Sequence, residues 1–514
     1  MRIGLLVTGV LVLPFPACGE RPLPVAIDFD AGGDVGPAAD AGVDGGPPFG
    51  VVDWGIAVGT PAPAGGSTTM TAIVPLGDGS VIVAGGFTGT VAFAPDVTKT
   101  ASAPRGAFVA RYRSDQRLVW VTTLAAPGGD VQIANLAPLD ASEVAIAGWF
   151  GATLTIEDSD PAPVALTSAG GLDLFVARIA TDGSVRWAKR AGGADDDIAR
   201  GIASRIDSSG AVSIALTGAI GPGALFGAGE SGQTQAPPGS GPIFVAGLDG
   251  TDGTLSWATF PGGQIPGQGY AVAIDVSGLV GVTGYVNGPA PFGTGPNGAT
   301  ITVDPAVGRA FVAGWSGQGQ LAWALPLAGQ MGEGDAIVDA PGGGFVAAGL
   351  FQGTATFGTG PVVTLVSDVA SQPGCFLAAV GQGGGLGWVR RLAGSGVHPW
   401  RVRRDGAGQL YLATSFGGMI QLDPDGPHPT HLTSKGDDDA AFIRLAADGV
   451  LGWVTTGGGL GDDEAADFAA GSGGTSWAAG RYSGPATFGV GAGAITLDSG
   501  TGGGGFLLQL AAPF

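Results

Sequence analysis

Cysteine, histidine and positive charge are all scarce in this chain: 514 residues include two Cys, three His and 22 Lys or Arg, against 43 Asp or Glu. Two cysteines, Cys18 and Cys375, give no disulfide framework. Cys375 opens the apolar segment CFLAAV, where a small buried thiol with nothing nearby to activate it is expected. His428 and His431 lie in DGPHPTHL without Cys or Glu at ligand spacing, so no metal site is expected from them. A net charge of −21 repels phosphate backbones and anionic lipid, which excludes nucleic acid as a partner and a basic membrane patch. Only 13% of residues are charged, too few for long solvated helices. No Gly-x-Ser-x-Gly elbow, zinc-binding helix motif or phosphate loop occurs, so no catalytic residue is assigned and a non-enzymatic role is favoured.

What the chain has instead is glycine, proline and short apolar runs. Gly and Pro make up about a quarter of it, yet hydrophobic residues reach 45%, with 11 Trp and 23 Phe. That combination fits many short strands joined by tight turns, around a large core, better than disorder.

The N-terminus reads as an address. Arg2 supplies a positive start, and Ile3 to Leu13 form an apolar run too short to span a bilayer stably. Ala17 precedes Cys18, and the stretch resembles the lipobox of bacterial lipoproteins, departing from it at Phe15 and Pro16. The resemblance implies a signal peptide over residues 1–17 and a lipid on Cys18; the alternative is an ordinary secretory signal with an incidental cysteine. Residues 18–48, rich in Asp, Ala, Gly and Pro, read as a flexible tether. The expected location is the outer membrane or cell surface, with secretion or a periplasmic site as alternatives. Membrane contact is expected only through the anchor.

From residue 49 to 514 the chain repeats. Trp54, Trp120, Trp187, Trp257, Trp323, Trp388 and Trp453 are 66, 67, 70, 66, 65 and 65 residues apart. Phe108, Phe175, Phe244, Phe311, Phe376, Phe442 and Phe506 keep nearly the same period, at 67, 69, 67, 65, 66 and 64. A Gly-x-aromatic-x-Gly turn marks it again at Gly85, Gly349 and Gly480, with degenerate versions near Gly148, Gly218, Gly284 and Thr414. Each copy holds four strand-like runs, such as GIASRID, AVSIALTG, PIFVAGLD and TLSWATF, joined in pairs by Asp/Gly turns like Asp207 to Gly210. Four antiparallel strands repeated radially make an all-β, seven-bladed β-propeller. The folded part opens on the Trp strand and ends on the Phe strand, so the N-terminal strand is expected to complete the last blade and close the ring.

The stretches WAKRAGGADDDIARGIASRIDSSGAVSIALTG and WATFPGGQIPGQGYAVAIDVSGLVGVTG resemble the bacterial β-propeller repeat named for its seven blades (SBBP). The resemblance covers about residues 49 to 514, although the usual Asn-Val-Tyr after the turn is replaced by varied residues. It implies a fold and an exported surface location, and carries over no catalytic residue. Quinoprotein dehydrogenases also use Trp-marked blades, but the cofactor-stacking and metal-binding residues they need are not identified here.

In such a fold both tight turns share one face, and the variable inserts and inter-blade loops share the other, around the channel mouth. Acids recur in those loops: Asp130, Asp195, Asp196, Asp197, Asp335, Asp462 and Asp463. A partial ring of carboxylates suits Ca²⁺ or a cationic or hydroxyl-rich ligand. The competing reading is that each Asp caps its own turn. No cofactor is expected beyond that Ca²⁺. The expected role is a monomeric binding scaffold for a protein or glycan at the cell surface, with a polysaccharide lyase or hydrolase as the alternative.

Overall fold

The computed structural model describes residues 49–157, 163–239, 243–294, 300–303, 310–327, 332–358, 363–367, 372–393, 396–427 and 429–511. The expected signal peptide, Cys18, the tether and His428 lie outside them. The described residues carry strands and two short 3-10 turns, with no α-helix among them.

Each repeat forms one antiparallel sheet. Blade 3 runs from the innermost to the outermost strand as Ile198–Ile206, Val212–Ala219, Ile243–Asp249 and Leu255–Thr259. The innermost strands of blades 1 to 7 are Thr60–Pro75, Val131–Pro138, Ile198–Ile206, Gly267–Ile274, Glu333–Asp339, Val397–Arg404 and Glu464–Ala470. Each lies against the next, and the seventh lies against the first, so the sheets form a closed ring. The first strand, Val51–Val58, pairs with the last, Ile495–Ala511, with Trp54 opposite Gln509 and Ala57 opposite Phe506. The N-terminal segment is thus the outer strand of blade 7, and a single blade draws strands from both ends of the chain.

The core is seven hydrophobic clusters, one in each seam between neighbouring blades, including the seam between blades 7 and 1. Each fully buried large side chain contributes roughly 1.5–3 kcal/mol, so the stabilisation lies mainly between blades. The repeated tryptophans tie the outer rim. Trp120 of blade 1 donates its Nε1 hydrogen to the Thr181 carbonyl, at 2.7 Å, in the outer turn of blade 2. Its ring faces Gly183 of that turn, where φ is +88° and a Cβ would come within 2.8 Å of the indole. The same arrangement sets Trp187 on Gly253, Trp257 on Gly319, Trp323 on Gly384 and Trp388 on Gly449. The inner turns are closed by their own Asp: the Asp207 carboxylate accepts from the amides of Ser209 (2.8 Å) and Ala211 (3.0 Å).

The variable inserts are β-hairpins. Thr153–Glu157 with Val164–Thr167 in blade 2 also pairs with the outer strand of blade 1, Leu118–Ala125. Blades 6 and 7 repeat this contact with the blade before, through Leu422 on Ala393 and Phe488 on Gly457. These inserts therefore clamp neighbouring blades.

The repeated phenylalanines have a cross-strand partner. Phe108, Phe175, Phe244, Phe311, Phe376 and Phe506 sit opposite Gly85, Gly148, Gly218, Gly284, Gly349 and Gly480. A side chain on any of these glycines would run into the innermost strand; at Gly148 a Cβ would overlap the Gln132 carbonyl oxygen. Blade 6 departs from the pattern. Ala441, not Phe442, faces the equivalent Thr414, and Phe442 is displaced by one residue to face Ala413. A one-residue shift turns a side chain to the opposite sheet face. Phe442 accordingly packs in the seam with blade 7, while the other six phenylalanines, of blades 1 to 5 and 7, face the preceding blade.

Candidate functional site

All seven innermost strands break register at one equivalent place, leaving one extra residue per strand: Thr71, Ala134, Arg200, Tyr270, Asp335, Trp400 and Ala466. A bulge bends its strand and re-aims a side chain. In blades 2 to 7 the bulge is the third or fourth residue of its strand, on the face of the inserts and inter-blade loops. Their residue types differ from blade to blade, unlike the Trp, Phe and Gly that serve the repeat.

Around this mouth the side chains form two groups. In blades 2 to 4 the Arg200 guanidinium lies 5.6 Å from the Trp149 ring centroid and 5.9 Å from that of Tyr270. Tyr270 in turn packs on Tyr285 with centroids 5.5 Å apart. In blades 5 and 6, Glu333, Asp335 and His398 bring ligand atoms within 4.8 Å of one another. The His398 ring packs on Trp400 at 4.2 Å, and Trp400 Nε1 donates to Ser415 Oγ at 2.8 Å. Blade 7 adds the Glu464–Arg481 ion pair at 2.5 Å. Trp149 and Asp335 are buried, while Arg200, Tyr270, Tyr285, Glu333, His398, Trp400, Glu464 and Arg481 are half-buried, as side chains lining a recess would be.

Beneath the mouth the axis is crossed by charge. Arg401, one residue past the blade 6 bulge, donates to the Thr71 carbonyl of blade 1 (3.2 Å) and the Ala134 carbonyl of blade 2 (3.4 Å). Arg403, two residues deeper, pairs with Asp467 of blade 7 at 2.7 Å and donates to Asn135 Oδ1 of blade 2 at 3.4 Å. Asp467 also accepts the Ile73 amide hydrogen of blade 1 at 3.0 Å. Burial would raise the Asp467 carboxyl, but the Arg403 charge and hydrogen bonds hold it below the usual carboxylate range. Four blades are thereby joined across the axis, and the mouth has a floor.

The acids singled out from sequence occupy three kinds of place. Asp197 and Asp463 are fully buried braces. Asp197 accepts from the amides of Gly193 (2.6 Å) and Gly221 (2.8 Å), and Asp463 from those of Gly459 (2.6 Å) and Ser483 (3.0 Å). Burial pushes both carboxyls up to about 6. Asp130, Asp195, Asp196 and Asp462 precede the innermost strands as half-buried or exposed loop residues, and Asp196 accepts from the Leu172 amide at 2.9 Å. Asp335 alone of the seven is a bulge residue, brought together with Glu333 and His398. His431 sits on the strand Thr430–Leu445, opposite Gln421.

Arg200, Tyr270, Glu333, His398 and Trp400 are site residues that the sequence reading passed over. The available signals were the innermost strand VHPWRVRR, unlike its six counterparts, and the spacing of Arg200, Tyr270, Asp335 and Trp400 at 70, 65 and 65 residues. A cleft of about 250 Å³ between blades 2 and 3 is lined by Leu216, Phe226, Leu248 and Leu255. Its charged pair, Lys189 and Glu230, already meets at 2.7 Å, which leaves the cleft little to offer a polar ligand.

No family model and no curated protein matches the chain. Among solved structures it is similar to the quinohemoprotein alcohol dehydrogenase from Comamonas testosteroni: 10% identity over 90% of this chain and 76% of that one, TM-score 0.38. It is also similar to the quinohemoprotein alcohol dehydrogenase ADHIIG from Pseudomonas putida HK5, at 11% identity over 87% and 76%, TM-score 0.35. A protein of unknown function from Dyadobacter fermentans matches at 9% identity over 90% and 99%, TM-score 0.37. At these identities and TM-scores neither fold nor chemistry passes from those proteins to this chain, whose propeller architecture rests on its own strand pairing and ring closure.

Proposed function

We propose that this chain is an exported, lipid-anchored propeller that binds the end of a neutral, hydroxyl-rich saccharide in its axial mouth. The observation that carries the reading is the convergence there of side chains the repeat does not require: Arg200, backed by the buried Trp149, and Tyr270 on one side, Glu333, Asp335, His398 and Trp400 on the other. Aromatic faces suit the C–H faces of sugar rings, carboxylates accept from hydroxyls, and Arg and imidazole N–H groups donate to them. A net charge of −21 disfavours a polyanion. The Arg401–Arg403–Asp467 layer below favours a chain end or short oligosaccharide over a threaded polymer. The lipobox-like segment before Cys18 and the tether over residues 18–48 support presentation at the envelope.

Calorimetric titration of the full chain with neutral and acidic oligosaccharides tests this. Binding of neutral members at one site per chain is expected; a preference for the acidic ones contradicts it. One observation favours a second reading, saccharide cleavage: His398 Nε2 lies 4.0 Å from Glu333 Oε1, a base beside a carboxylate able to orient it. Mass spectrometry of saccharides left with the protein separates the two, since shortened products support cleavage and intact ligand supports binding alone.

A further inference from the structure

We infer that Glu333, Asp335 and His398 form a site for a first-row divalent cation, Mn²⁺ or Zn²⁺, at the mouth of the seam between blades 5 and 6. The inference rests on the reading of the mouth as a binding site and adds an ion to it. Three observations carry it.

The first is geometry. One carboxylate oxygen from each acid and one imidazole nitrogen lie within 4.8 Å of one another, so a small side-chain rotation brings all three to bond length, about 2.0–2.2 Å, from one ion. Two donors come from the innermost strand of blade 5 and one from that of blade 6, so closed-ring packing, not a flexible loop, fixes their spacing. Asp335 is 4% exposed, while the Glu333 and His398 side chains are about 30% exposed. An ion held there is fixed from below and open to the recess above, with coordination positions left for ligand hydroxyls.

The second is position in the repeat. At the two places held by Glu333 and Asp335 the other blades carry Thr69 and Thr71, Gln132 and Ala134, Ile198 and Arg200, Gln268 and Tyr270, His398 and Trp400, and Glu464 and Ala466. Acids at both places occur in blade 5 alone, and the one histidine of the series is in the adjacent blade. A structural duty of the repeat does not explain that pairing.

The third is the register shift of blade 6. At the level of this cluster it removes from the seam the phenylalanine that faces the preceding blade elsewhere in the ring. In the same place Thr414 donates its hydroxyl to the His398 carbonyl at 2.7 Å, and the Trp400 ring packs against the imidazole at 4.2 Å, tilted by 39°, so the histidine is held from two sides. Two carboxylates with one imidazole form a mixed O/N donor set, which suits Mn²⁺ or Zn²⁺ better than the all-oxygen preference of Ca²⁺.

The test uses the full chain stripped with a chelator and dialysed, then titrated with Mn²⁺, Zn²⁺ and the chromophoric Co²⁺, without saccharide. Binding of one ion per chain, a visible Co²⁺ band and a raised Tm are expected. Glu333→Gln and His398→Gln, both at half-exposed positions where folding is expected to survive, should weaken binding at least about tenfold. No binding by the wild-type chain, binding by both variants as tight as by wild type, or selection of Ca²⁺ over all three ions overturns the site. Neither saccharide affinity nor its loss enters these measurements, so the ion site and the saccharide reading can fail separately.

Discussion

Thr414 donates its hydroxyl to the carbonyl of His398 at 2.7 Å, at the one blade position where the innermost carbonyl meets a side chain and not a glycine. In blades 1 to 5 and 7 the equivalent residues are Gly85, Gly148, Gly218, Gly284, Gly349 and Gly480, each too close to that carbonyl to carry a Cβ. Blade 6 has opened enough to admit threonine, and it is also the blade whose innermost strand carries His398, Trp400, Arg401 and Arg403. The repeat gives way where the mouth and its floor are built, which is where departures from a consistent pattern are expected. Thr414→Val keeps the shape and removes the donor, so it should destabilise the chain by about 1–2 kcal/mol in urea unfolding.

The floor is testable through Arg403. Replacing it with Leu leaves the fully buried Asp467 carboxylate without its ion-pair partner, and breaking such a pair costs roughly 3–5 kcal/mol. Because the folded Asp467 carboxyl lies below its ordinary value, its contribution is present at neutral pH and is lost as pH falls below about 3.8 and through the folded value. Arg403→Leu should therefore lose most of its deficit relative to wild type in strong acid, measured as the difference in urea midpoints.

Asp197 and Asp463 give the opposite slope. Burial raises both to about 6, against an ordinary value of 3.8, so between these limits the folded chain binds more protons than the unfolded one. Their contribution to stability should grow as pH falls from about 6 towards 4 and stay flat above 6. Asp173, buried and also raised, sits beside Asp197, with its Oδ1 making no hydrogen bond among the described residues. Comparing wild type with the Asp197→Asn/Asp463→Asn double variant from pH 4 to 7 isolates these groups from general charge repulsion. The variant's profile should be flatter; a profile parallel to wild type contradicts the assignment.

The ring depends on the strand Val51–Val58. Val58 is 1% exposed in the seam between blades 7 and 1. Val58→Asp buries a charge there and should cost about 3 kcal/mol or more. It should also free the edge of Ile495–Ala511 for self-association, seen as higher-order species in light scattering.

Trp and Phe reveal the fold in the sequence because each keeps a recurring partner: in five blades the indole lies on the next blade's turn glycine, and in six the phenyl lies opposite a glycine on its own sheet. Those contacts force a period, and a period is visible without coordinates. Phe442 shows the limit, since its spacing from Phe376 is 66 residues, ordinary for the series, yet it points to the opposite face. Sequence spacing does not register a single-residue slip between strands. The mouth was hidden for a related reason. Arg200, Tyr270, Asp335 and Trp400 share a position but not a chemistry, so nothing repeats to draw attention to them, and only the bulges show that the position faces the axis. Asp335 resembles the loop acids in sequence, but it lies within the innermost strand while Asp197 and Asp463 fasten loops.

The most direct measurement compares mouth and rim on one ligand. Trp400→Ala and Arg200→Ala should each weaken saccharide binding at least about tenfold, a loss of about 1.4 kcal/mol, with little change in Tm. Trp257→Ala, which removes a rim indole from Gly319, should lower Tm and leave affinity unchanged. If the rim variant loses the ligand while both mouth variants keep it, the axial mouth is not the binding site.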